Sequence, residues 1–267
     1  RPWRDRAGRP VIPIALTIAA ATAVGFGAER RLGGERAQLA AARTMRLMLW
    51  VLIPPVAFFN LADLHLTAGV GAGLAFGWIG MLTAMAVAYV VGTHLLRLPR
   101  PVVGTLMLAA GMGNSGYLGV PFTAALFGFD DVGDAVIFDV IVSGVALPTL
   151  AFAVGAAFGT VATEARTRLI AFFTRNPALW AAAAGLLAPE ALSPDWAVDA
   201  SRFAVMAMLP MGFFVVGVTL ASEAEEGAVR FPPRLTVPVG VAIGLKMILF
   251  PTVVLALSVI FIDIPDP

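Results

Sequence analysis

Long uncharged runs constrain this chain more than any other feature of its sequence. Windows free of Asp, Glu, Lys and Arg cover 11–28, 47–62, 66–93, 101–129, 140–163, 176–189, 203–222 and 235–262, the last broken by one lysine. A helix needs about 20 apolar residues to cross a hydrocarbon layer of roughly 30 Å. The fifth window gains length if it begins near Ala135, which puts Asp139 inside it, and the sixth if it begins at Leu169. We therefore expect an all-α polytopic membrane protein with eight spans. A barrel would show short segments of alternating polarity instead.

Composition agrees. The chain is 59% hydrophobic and 13% charged, against about 45–50% and 25% in soluble domains. That excludes a soluble enzyme, a nucleic-acid binder and a disordered linker. A net charge of +1 offers no polyanion site, and the absence of cysteine removes disulfides and thiolate metal sites. The basic stretch before the first window reads as the start of a membrane-spanning segment or as a trimmed chain.

Orientation follows from the arginines, because basic residues are retained on the cytoplasmic side. The odd-numbered connections carry Arg30, Arg31, Arg36, Arg43, Arg46, Arg97, Arg100, Arg166, Arg168, Arg175, Arg230 and Arg234; the even-numbered ones carry only Arg202. The expected topology has the N-terminus outside and the basic loops in the cytoplasm, in an inner or plasma membrane. Arg1, Arg4, Arg6 and Arg9 run against this pattern.

The chain also repeats itself. Pro55-Val56-Ala57-Phe58-Phe59 in the second span matches Pro210-Met211-Gly212-Phe213-Phe214 in the seventh, and the first and sixth spans open on Ile12-Pro13 and Asn176-Pro177. Five spans per repeat, an odd number, makes the two halves inverted. The expected division is 1–168 for a five-helix first repeat and 169–267 for a second repeat holding three helices. On this count the sequence is two helices short, as a truncation or a natural short form.

The fourth window carries the chemistry. Gly111-Met112-Gly113-Asn114-Ser115-Gly116-Tyr117-Leu118-Gly119-Val120-Pro121-Phe122 concentrates helix breakers at mid-membrane. In a helix interior Gly costs about 1 and Pro about 3 kcal/mol relative to Ala, and Pro121 displaces the carbonyl of Tyr117. Backbone groups freed in this way cannot face lipid, so the stretch should be unwound and buried in protein or should line a wet cavity. A half-helix N-terminus there presents amides and a positive dipole end to an anion. Asn114, Ser115, Gly116, Tyr117 and Pro121 are the expected substrate-binding residues. A proline kink among small packing residues is the alternative.

Gly113 to Pro121, followed by Leu126-Phe127-Gly128, resembles the glycine–asparagine–glycine–proline signature of the auxin efflux carrier family. Further similarity lies at Gly27 to Arg31, Leu52-Ile53-Pro54-Pro55, Asn176-Pro177 and Lys246 to Pro251. The resemblance implies ten helices in two inverted five-helix repeats, with helices four and nine broken where they cross. It also implies transport of organic anions such as auxin or small dicarboxylates; helices nine and ten of that pattern are not in this sequence.

Two charges fall inside spans, where each costs at least about 2.5–3.5 kcal/mol. Lys246 is expected to meet an anionic substrate or a carboxylate, or to snorkel to the cytoplasmic face. Asp139 is a candidate proton-coupling group or a solvated residue beside Asp130, Asp131 and Asp134. Asn60 and Asp63 read as polar lining or as loop caps. His65 and His94 flank one span at opposite ends and cannot share a metal, and Trp50, Trp78, Trp180 and Trp196 read as packing or interface anchors. The expected function is a secondary transporter of small organic anions working by alternating access, with H+ as one coupling option, without cofactor or metal and compatible with a homodimer. The rivals are a sodium-coupled symporter of the bile-acid type and a non-transporting receptor or scaffold. The spans hold no catalytic constellation that would suggest an enzyme.

Overall fold

The computed structural model describes residues 11–64, 67–158, 176–225 and 235–261, together with positions 170, 174 and 227. The N-terminal arginines, His65, Arg166, Arg168, Arg175, Arg230 and Arg234 lie outside the described residues. Among the described residues there is no strand. The helices are α1 (Val11–Leu32), α2 (Gly34–Ala62) and α3 (Ala68–Leu95), α4 (Arg100–Gly111) and α5 (115–126). They continue with α6 (Phe129–Gly155), α7 (Pro177–Leu187), α8 (Asp195–Glu225) and α9 (Val237–Phe261).

Five of these, α2, α3, α6, α8 and α9, are long and apolar enough to cross a membrane. The fourth window is two helices separated by a break, and α7 is an 11-residue helix. Large apolar side chains stand exposed along α9, among them Met247, Ile248, Leu255, Val259 and Phe261, each at least 64% accessible. Water would penalise such a surface, whereas lipid chains solvate it.

Prolines shape the helices at recurrent places. Wide π-type turns at Met48–Leu52, Ser115–Gly119 and Leu245–Leu249 each end two residues before a proline, at Pro54, Pro121 and Pro251. A proline has no N–H to close the ordinary bond and pushes away the carbonyl four residues back. The chain bonds one residue further instead: Ile53 N–H donates to Met48 O, Val120 N–H to Ser115 O, and Phe250 N–H to Leu245 O. Three further wide turns among the described residues, at Val91–Leu95, Asp139–Ser143 and Leu147–Ala151, lack such a proline.

The chain divides into two compact units that interleave along the sequence. One unit comprises Arg1–Leu64, Asn114–Ile137 and Pro177–Arg234. In it α1 lies along α8 and α7 along α2. Glycines make both approaches possible. A methyl at Gly25 would collide with the Phe214 carbonyl oxygen, one at Gly217 with the Thr22 oxygen, and one at Gly185 with the Phe58 oxygen. Asn60 is buried and donates to Val56 O at 2.9 Å and to Ser201 Oγ at 3.0 Å, and Ser201 passes its own proton to Val198 O. Asn60 therefore ties α2 to α8.

The other unit comprises His65–Gly113, Phe138–Asn176 and Leu235–Pro267. Its centre is α3, whose Met81, Ala84, Met85 and Ala88 are buried against Leu106 and Ala110 of α4 and Val142 and Ala146 of α6. Helix α9 closes on α3 at Gly80, where a Cβ would stand 2.9 Å from Val254. Val241, Ala242, Leu245 and Phe250 of α9 cover the same core.

Candidate functional site

The break in the fourth window has two ends, one in each unit, and each end solves the problem of its unpaired backbone groups differently. At the first, α4 stops because Met112 turns extended, with ψ 138°. Its N–H still reaches back to Leu108 O at 2.8 Å. The carbonyl of Ala109 would take the N–H of residue 113 if the helix continued. Here Lys246, from the wide turn of α9, supplies the proton instead, donating to Ala109 O at 3.3 Å and to Met112 O.

The magnitudes fit this pairing. A charge at mid-membrane costs about 2.5–3.5 kcal/mol or more, and a hydrogen bond to a charged group contributes about 1.5–3 kcal/mol. Two such bonds at the negative end of a helix dipole offset the burial of the ammonium. They also satisfy carbonyls that lipid would leave orphaned. Lys246 is thus engaged with backbone oxygens, and to meet a substrate carboxylate it would have to abandon them.

At the second end, Asn114 caps α5. Its backbone (φ −93°, ψ 79°) is non-helical and its Oδ1 accepts from Tyr117 N–H at 3.1 Å, while its carbonyl accepts from Gly119 N–H at 3.1 Å. This is ordinary N-cap chemistry. The first-turn amides at Gly116 and Leu118 have no acceptor within the helix. Gly113 and Asn114 are exposed, residues 115–119 are half-buried, and Pro121 is buried. A Cβ at Gly113 would meet nothing within 4 Å.

Of the five residues expected at the substrate site, Asn114 to Tyr117 are consecutive at this N-terminus, and Pro121 is buried a turn further on. Asp139 and Lys246 belong to the other unit. Each of the three candidate groups sits in a wide turn: residues 115–119, Asp139 and Lys246. Such turns recur at functional positions because they displace one side chain from the helical register. Asp63 is exposed at the end of α2, whereas Asn60 is committed to Ser201. Trp50, Trp180 and Trp196 are all more than half exposed and build no ligand box. Among the described residues no group of three His, Cys, Asp or Glu side chains is arranged to hold a metal. A surface groove between α2 and α8, lined by Gln38, Met45, Thr219 and Glu223 among others, shares no residue with the break.

One buried polar group went unmarked in the sequence. Glu29, one residue past the first uncharged window, is 2% exposed and its Oε2 has no hydrogen-bond partner. Burial, and then the charge of Glu225, raise its pKa above the ordinary carboxylate value. Arg202 lies 3.2 Å from Asp199 and 4.0 Å from Asp130, which explains how the one arginine of the even-numbered connections is accommodated.

No protein-family description, no curated protein and no solved structure matches this chain. The geometry therefore carries the functional argument.

Proposed function

We propose that this chain is a secondary carrier of small organic anions with the inverted-repeat architecture of the auxin efflux carriers. The observation that carries the reading is the break at 112–114: an apolar window interrupted at its middle, with each helix end separately capped. Carboxylates bind at such ends because amide donors and the helix dipole act together. Asn114, Ser115, Gly116 and Tyr117 contact the anion in this proposal, and Pro121 holds the turn that displays them.

The helix pairing supports the repeat. An inverted repeat exchanges spans one and six and spans two and seven, so it relates α1 on α8 to α7 on α2. Both contacts bring a glycine onto a phenylalanine carbonyl, Gly25 onto Phe214 and Gly185 onto Phe58, positions one residue apart in the aligned segments. Phe58 and Phe214 both belong to the Pro-x-x-Phe-Phe segments.

The test is carboxylate flux in proteoliposomes. Asn114→Asp keeps the cap acceptor but sets a negative charge where the substrate would sit. It should abolish flux while the melting temperature stays near that of the parent. Normal flux through Asn114→Asp would remove the site from α5. Flux that collapses when sodium is replaced by choline would favour the sodium-coupled reading instead.

A further inference from the structure

We infer that the carbonyl end of α4 is a monovalent-cation site filled by the Lys246 ammonium, a tethered ion in the place of a free alkali cation. Two neutral oxygens, Ala109 O and Met112 O, converge on one positive group at the negative end of a helix. Neutral carbonyl oxygens suit a hard monovalent ion. A divalent ion would call for carboxylates, and the described residues hold no acidic cluster of that kind.

The site is held rigidly by its own unit. Gly111 fits against Met85, Gly80 admits α9 beside Val254, and the core around Ala84, Ala88, Leu106 and Ala110 is covered by Val241 and Leu245. The wide turn at Leu245–Leu249 sets the direction in which the lysine stem leaves this wall. Removing the side chain leaves oxygen ligands and a negative dipole end without their cation. The inference does not depend on the chain being a carrier.

The experiment is thermal unfolding of the full chain in detergent, in sodium, potassium, methylammonium or choline chloride at constant ionic strength. The parent and Lys246→Arg should melt at one temperature in all four salts. Lys246→Ala should melt lower in choline and recover saturably with at least one of the three small cations. Lys246→Met keeps the packing stem and serves if the alanine variant does not fold. It should bind radioactive sodium or potassium above the parent's background. A charge-removing variant that responds equally to all four salts overturns the inference. So does a parent that itself gains saturably from sodium.

Discussion

The two ends of the break face the same difficulty, unpaired backbone groups at mid-window, and resolve it at different ranges. The end at Asn114 is closed locally: a side chain accepts from an amide three residues on. The end at Met112 is closed from another helix, by a lysine 134 residues away. A local cap follows from the residue type, while a distant one needs the fold to be in place. The contrast predicts that damage at the lysine end unsettles a whole unit, and damage at the asparagine end unsettles one turn.

The largest expected effect is at Lys246. Because the ammonium's burial and its two hydrogen bonds offset one another, Lys246→Met should cost what two orphaned carbonyls cost, about 2 kcal/mol or more, read as a fall in melting temperature. A fall no larger than that of Asn114→Ala would erase the contrast. Gly111→Ala comes next. Its methyl would collide with Met85, a flexible side chain, so overpacking should cost about 1–2 kcal/mol. A compensating Met85→Ala should return part of that loss. Asn114→Ala should cost about 1 kcal/mol and Asn114→Ser less, measured the same way.

The smallest effect concerns Glu29. Its raised pKa means that the folded state holds the proton more tightly than the unfolded chain does. The stability it contributes is full below the ordinary carboxylate range and is lost as pH rises through the folded value. Melting temperature should therefore drift down over that interval, and Glu29→Gln should flatten the drift. An unchanged pH profile in Glu29→Gln would show that the carboxyl does not titrate differently on folding.

Much of this was legible in the sequence, for identifiable reasons. Apolar windows set the helices, because length and lack of charge are properties of one segment. The break was legible because Gly113, Asn114 and Pro121 act on their own backbone. Three of the six wide turns among the described residues were legible in retrospect, since Pro54, Pro121 and Pro251 each stand two residues past one. Lys246 was conspicuous as a costly charge, but its partners were not, because nothing local links it to Ala109. The Asn60–Ser201 bond was hidden for the same reason, at a separation of 141 residues. Gly25, Gly185 and Gly217 looked like any other small residues until a facing backbone gave them a purpose.

The wide turn at Leu245–Leu249 also acts as a phase shift. One extra residue per turn advances everything beyond it by about 100° around the axis, since an α-helix turns once in 3.6 residues. Deleting a single residue from this turn would restore the ordinary ladder and spin Phe250–Phe261 by that angle. The side chains now turned toward α3 would swing outward, although hydropathy and length would barely change. The lysine's aim and the outer face of α9 are therefore set together by one surplus residue.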